Sequence, residues 1–136
     1  MKTFKTKLAL IFTLMLLSFF CQGQETKVQR KDLQHILLDQ QLHQVEMQEI
    51  TLEKAQKVPA HFHPCPVIGF ILEGEIIFEI TGQKPKLLKS GDTFYEPKNR
   101  EISAFNNLSK TGVAKFIAIY LKAGDEKTIE LLNTVK

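Results

Sequence analysis

Two histidines and a cysteine, all of them potential metal ligands, lie in the stretch HFHPCPVIGFILEGE at residues 61–75. One residue separates His61 from His63. In an extended strand their side chains project from the same face, with Cα atoms about 6.5–7 Å apart. Two imidazoles held in this way suit a divalent first-row metal. The spacing is a weak signal by itself, because a histidine pair also lines metal-free polar pockets. A metal site and a metal-free pocket are therefore both open.

Two further side chains are candidates for completing a metal site. Glu96 ends the segment TFYE and offers a carboxylate, which would give the two-histidine, one-carboxylate set of non-haem iron sites. Cys65 continues the period of two after His63 and offers a thiolate, although Pro64 and Pro66 interrupt a regular strand there. The candidate metals are iron, manganese, nickel and zinc. A protein without any metal is the alternative.

The first residues of the chain are typical of a secretory leader. MKTFKTK is basic, LALIFTLMLLSFF is apolar, and CQGQE is polar. This order matches a signal peptide, for which small residues are required before the cleavage point. Cys21 and Gly23 are small, so we expect residues 1–23 to be removed and the protein to be exported to the periplasm or the exterior. A lipoprotein acylated at Cys21 is the alternative.

The charge of the remaining chain argues against nucleic acid as a partner. The chain has 18 Lys and Arg against 15 Asp and Glu, a net charge of +3. The leader holds three of those lysines and no acid, so residues 24–136 carry 15 of each sign. No basic run remains to bind a phosphate backbone. Membrane attachment is expected only if Cys21 is lipidated. Once the leader with Cys21 has been removed, Cys65 is the only thiol, so no internal disulfide can form.

Short apolar segments separated by turn residues predict an all-β sandwich or barrel. Residues 66–73 are nearly all apolar, Gly74 turns the chain, and residues 75–81 alternate between apolar and polar. The segment DEKTIELLNTV predicts a short C-terminal helix with Asp125 as its N-cap. The predicted core consists of Phe70, Leu72, Ile76, Phe78, Ile80, Phe116, Ile117, Ile119 and Leu121.

HFHPCPVIGFILEGE and SGDTFYEPKNREISAFNN together resemble the two sequence motifs of the cupin superfamily. The matching residues are Leu72, Glu73 and Gly74 in the first motif, and Gly91, Asp92, Phe94 and Pro97 in the second. The resemblance implies a small double-stranded β-helix, or jelly-roll barrel, with its site in the mouth and a tendency to form homodimers. Together with the leader prediction, it divides the chain into a signal peptide (1–23), an N-terminal arm (24–41), the barrel (42–122) and a C-terminal tail or helix (123–136).

Two of the four metal ligands that the resemblance implies are replaced by apolar residues. Cupins place a glutamate four residues after the second histidine, where this chain has Val67. They place a third histidine five residues after the proline, where this chain has Ile102. The resemblance thus implies a degenerate metal site, with Val67 and Ile102 in a pocket beside His61 and His63. A metal-dependent dioxygenase or isomerase, a metal-free barrel that binds a small molecule, and a dimerising module all remain open.

Overall fold

Residues 27–132 are described by a computed structural model. The predicted signal peptide, residues 1–23, lies outside the described residues. The chain divides into two units, Met1–Lys31 and Asp32–Lys136. Of the first unit, residues 27–31 are exposed and have no regular secondary structure. In the part of the chain that is described, no helix is long and apolar enough to cross a membrane.

The described part of the second unit contains nine strands and no helix, which confirms the predicted all-β jelly roll. The strands are β1 (Gln44–Leu52), β2 (His61–Phe62), β3 (Val67–Glu73), β4 (Glu75–Ile80), β5 (Lys86–Lys89), β6 (Thr93–Glu96), β7 (Ile102–Asn107), β8 (Ala114–Lys122) and β9 (Glu130–Leu131). One sheet has the order β1-β8-β3-β6 and the other β5-β4-β7-β2-β9. All pairings are antiparallel.

The apolar core lies between the two sheets, and alternate residues of each strand face it. The inward residues of β8 are Ala114, Phe116, Ala118 and Tyr120, all buried. Four phenylalanines meet at the centre, with neighbouring ring centroids 4.8–6.0 Å apart. They are Phe78 on β4, Phe94 on β6, Phe105 on β7 and Phe116 on β8. Three of these rings, those of Phe94, Phe105 and Phe116, also form the floor of the cavity beside the candidate site.

Part of the predicted core is confirmed. For the rest, the prediction assigned the wrong face of the strand to the interior. Its members Ile76, Phe78, Ile80, Phe116 and Leu121 are buried. Phe70, Ile117 and Ile119 are only half-buried, and Leu72 is 39% exposed. In β3 the inward side chains are instead those at alternate positions from Val67 to Ile71. This strand is apolar at almost every position, so its sequence does not reveal which face turns inward.

The predicted C-terminal helix is wrong over its described part. Residues 126–129 have no regular secondary structure, and Glu130–Leu131 form β9, which pairs with β2. The amide of Leu132 also donates to the carbonyl oxygen of Ala60 at 2.9 Å. Strand β2 is only two residues long and pairs with β7 on its other side. Backbone hydrogen bonds to this strand override the modest helix propensity of the segment.

Candidate metal centre

Strand β2 brings the two histidines to the inner side of the barrel. His61 lies in β2, opposite Ile102 of β7, and His63 follows directly after the strand. Their exposed fractions are 3% and 4%. The ring centroids are 5.0 Å apart, and the ring planes are nearly perpendicular at 84°. Both imidazoles therefore enter the same buried space from the same face of the chain.

Glu96 enters that space from the opposite sheet. It ends β6, is 3% exposed, and stands directly across from Val67 of β3 in the strand register. Its Oε2 atom is 2.8 Å from Nε2 of His63. One ligand atom from each of His61, His63 and Glu96 lies within 4.8 Å of the other two. The structure thus brings together the three residues that the sequence suggested as metal ligands; their binding of a metal stays a prediction.

Backbone carbonyl groups hold the outer nitrogen of both histidine rings. Nδ1 of His61 donates to the carbonyl oxygen of Pro59 at 2.9 Å, and Nδ1 of His63 donates to that of Thr128. A carbonyl oxygen can only accept, so both Nδ1 atoms carry a proton and both Nε2 atoms face the site. Metal-bound histidines generally have such a second hydrogen bond. Two Nε2 atoms and one buried carboxylate therefore fit a divalent cation.

The C-terminal segment, residues 126–132, forms one wall of this site. Thr128 supplies the carbonyl that holds His63, and the side chain of Ile129 lines the adjoining cavity. An ion pair of 2.8 Å between Lys98 and Glu126 fastens the segment beside the loop after β6. Sequence reasoning missed this wall, because a backbone carbonyl has no residue-type signature and the segment was predicted to be helical.

The pKa values of the two histidines shift in opposite directions. Burial lowers the pKa of His61 and outweighs the hydrogen bond to Pro59 and the charge of Glu96. Burial also acts to lower the pKa of His63. The hydrogen bond and the charge of Glu96, together with the Thr128 carbonyl, overcome it and raise that pKa above its ordinary value of 6.5. Without a metal, a proton therefore holds Nε2 of His63 against the Glu96 carboxylate.

In metal-free protein, His63 should consequently titrate above pH 6.5 and His61 below it. Two-dimensional ¹H–¹⁵N spectra of the imidazole nitrogens across the pH range measure both values. The Glu96→Gln variant should lower the pKa of His63, because the charge that favours the imidazolium is gone. Glu73→Gln, which changes an exposed carboxylate, should leave it in place. If His63 titrated below His61, the pairing of His63 with Glu96 would be refuted.

A cavity of about 110 Å³ adjoins the three candidate ligands. Its walls are formed by Ile50, Leu52, Val58, His61, His63, Val67, Phe94, Glu96, Phe105, Phe116, Ala118, Tyr120 and Ile129. Of the two predicted pocket residues, Val67 lines this cavity. Ile102 is fully buried beside His61 and is not among the lining residues.

Cys65, the further candidate ligand, is fully buried in the apolar core. Among the described residues, the cluster able to hold a metal consists of His61, His63 and Glu96, without this cysteine. Burial, and next the charge of Glu126, raise the pKa of the thiol. A neutral thiol is a poor metal ligand, because the thiolate is the form that binds. Cys65 therefore packs as a small apolar side chain.

Tyr120 is a polar residue of the site that the sequence did not single out. It is 4% exposed and lies on the inward face of β8, with its ring centroid 5.7 Å from that of His63. Burial, with the nearby charges of Glu96 and Glu46, raises the pKa of its phenol to about 12. The hydroxyl is therefore a hydrogen-bond donor at neutral pH. The alternation of small and aromatic residues along β8 is the signal that would have placed it.

Sequence comparisons connect the chain with proteins of known type. A family model described as a cupin domain matches residues 48–120. The chain is 35% identical over 75 residues to the dimethylsulfoniopropionate lyase DddQ of Ruegeria pomeroyi. That match covers 55% of this chain and 35% of the relative, so the chain spans about a third of the length of this curated relative.

Solved structures share the fold of the chain. The crystal structure of DddQ from Ruegeria pomeroyi DSS-3 has a TM-score of 0.57 and 22% identity, covering 64% of this chain and 42% of that one. An oxalate oxidase in complex with the substrate analogue glycolate has a TM-score of 0.57 and 21% identity, covering 65% and 46%. A cupin-like protein from Thermotoga maritima has a TM-score of 0.55 and 20% identity, covering 68% and 67%. At these identities the likeness concerns the fold.

Proposed function

This chain belongs to the cupin domain family, and we propose that it binds one divalent metal ion through His61, His63 and Glu96, with a small molecule in the adjoining cavity. The observation that carries the proposal is the convergence of one ligand atom from each residue within 4.8 Å, all three side chains being buried. Iron, manganese, nickel and zinc accept this set of ligands. A bound ion would polarise an oxygen of the small molecule as a Lewis acid.

The position of Glu96 explains how the site can work without the usual cupin glutamate. Val67 occupies the place of that glutamate in the first motif, and Glu96 is its direct partner on the neighbouring strand. A carboxylate is thus supplied across the sheet, about one strand spacing, or ~4.8 Å, from the family position. The carbonyl groups of Pro59 and Thr128 orient the two imidazoles. Side chains such as Phe94 and Ile129 limit access of water.

Metal analysis of protein purified without a histidine tag tests this proposal. We expect up to one equivalent of divalent metal per chain. A chelator should remove this metal readily, because only three protein ligands hold it. Titration of the metal-free protein with Fe²⁺, Mn²⁺, Ni²⁺ and Zn²⁺ should restore one equivalent. Binding should weaken as the pH falls through the raised pKa of His63, because a protonated imidazole cannot bind a metal. A protein that takes up none of these ions would instead favour the metal-free pocket.

Catalysis is a second candidate function. The 35% identity to a protein named as a dimethylsulfoniopropionate lyase favours an enzyme, and a lyase then joins the dioxygenase and the isomerase as possible reaction types. Because the match covers only 35% of that relative, its activity is a proposal for this chain. We also propose that the protein is exported, with membrane attachment through a lipidated Cys21 as the alternative. We further propose that it forms a homodimer.

A further inference from the structure

We propose that the cavity binds a small monoanion with an apolar body, of the short-chain carboxylate class, and that the hydroxyl of Tyr120 donates a hydrogen bond to its anionic oxygen. This inference rests on the proposed metal site, and it adds the ligand class and a residue that selects it. Four features of the cavity carry it: its wall chemistry, its volume, the charge balance of the site and the hydroxyl of Tyr120.

The walls of the cavity exclude ligands with many polar groups. Nine of its 13 lining residues are apolar, and the four others are His61, His63, Glu96 and Tyr120. Among the described residues, no lysine, arginine, serine, threonine or amide side chain lines it. A sugar or a nucleotide would bury several hydroxyl or phosphate groups without partners, which is costly for each neutral polar group and more so for each charge. The ligand must therefore carry its polar atoms at one end.

The volume of the cavity limits the ligand to a few atoms. At about 110 Å³, the cavity is smaller than the roughly 150 Å³ that accommodates benzene in a protein core. The ligand should therefore have about six non-hydrogen atoms or fewer. The exposed side chain of Ile129 lines the cavity, so this residue marks where a ligand would enter from the surface.

The charge balance of the loaded site favours one negative charge on the ligand. A divalent ion held by two neutral imidazoles and one carboxylate leaves a net charge of +1. An uncompensated charge is costly in a buried, mostly apolar site. Lys122 is the buried lysine of the described residues, and it is already paired with Glu46 at 2.7 Å. A monoanion would neutralise the site, whereas a cation would add to its charge.

Tyr120 supplies the hydrogen bond that places the anionic oxygen. It is 4% exposed and lines the cavity. Buried hydroxyl groups usually have a partner. The ring of Tyr120 lies beside that of His63, with 5.7 Å between centroids. In the strand register Val67 lies between Tyr120 and Glu96, so the tyrosine and the carboxylate ligand belong to the same wall of the cavity.

Titration calorimetry on the zinc-loaded chain tests the ligand class with three small probes. Butyrate should bind with a stoichiometry of one. Butylamine has the same number of carbon atoms but a positive charge. Glycerol has six non-hydrogen atoms but three hydroxyl groups. Neither should bind measurably. Tyr120→Phe should weaken butyrate binding about tenfold, the usual effect of one hydrogen bond to a charged group. Tyr95→Phe is the matched control, because Tyr95 lies on β6 but is not among the lining residues.

The zinc titration that precedes these measurements separates the two proposals. If zinc does not bind, and Fe²⁺, Mn²⁺ and Ni²⁺ do not bind either, the proposed metal site and the inference that rests on it both fail. If zinc binds but butyrate does not, or if butylamine or glycerol binds equally well, the ligand class is wrong and the metal site stands. Equal butyrate affinity for Tyr120→Phe and the parent chain would overturn the role of the hydroxyl alone.

Discussion

Glu96→Gln should weaken the binding of a divalent metal ion at least about a hundredfold. Groups that merely orient a metal ligand cost 10–100-fold when they are removed, and a ligand that is itself lost should cost at least the upper end of that range. Glutamine keeps the shape of the side chain, but it removes the negative charge and leaves a weaker carbonyl ligand. Competition with a chromophoric chelator, at a pH where both histidines are neutral, measures the affinity.

Glu73→Gln is the matched control for this substitution. Glu73 ends β3, is exposed, and pairs loosely with Lys115 at 3.7 Å. Its removal changes the net charge by the same amount far from any ligand, so the affinity should stay within about twofold. Circular dichroism confirms that both variants are folded. If Glu96→Gln binds metal as tightly as the parent, Glu96 is no ligand and the histidines form a two-residue pocket.

Local periodicity in the sequence was enough to predict that the two candidate histidine ligands face the same way. His61 and His63 share a face because residues two apart in a strand always do. The register that sets Glu96 against Val67 is a long-range property, and no spacing along the chain encodes it. Glu96 was nevertheless suggested, since it ends a predicted strand of the second motif that should line the barrel mouth. Tyr120 was missed, because the alternation along β8 places it on the inward face but does not show that this face meets the histidines.

The fold was predictable in class and less so in detail. Turn residues between short apolar segments suffice for an all-β prediction, and the two motifs specified the barrel. The prediction for the C-terminal segment was wrong because the conformation of this segment depends on pairing with β2, which is a tertiary interaction. The predicted inward face of β3 was wrong because both faces of this strand are largely apolar. Its inward face includes Gly69, which contributes no side chain to the hydrophobic pattern.

Phe94→Ala should lower the free energy of unfolding by about 3–5 kcal/mol, the range for a buried aromatic residue. Phe94 is 3% exposed, and its ring lies 5.0 Å from that of Phe105, 5.8 Å from Phe116 and 6.0 Å from Phe78. Removing it leaves a hole at the floor of the cavity that three rigid rings cannot fill. Urea unfolding of the metal-free chain measures the loss. Phe70→Ala, on the half-buried outer face of β3, should cost less than half as much.

The space occupied by the Phe94 ring depends on the missing side chain of Gly69. A Cβ atom built on Gly69 would lie 2.0 Å from Cζ of Phe94, which is far inside van der Waals contact. Gly69→Ala alone should therefore cost about 1–3 kcal/mol through overpacking. In the Phe94→Ala background the methyl group enters vacated space, so the same substitution should cost much less, or even stabilise the variant. Equal costs in both backgrounds would mean that the two residues are not coupled. That result would refute the interpretation that the Phe94 ring packs directly against the β3 backbone at the floor of the cavity.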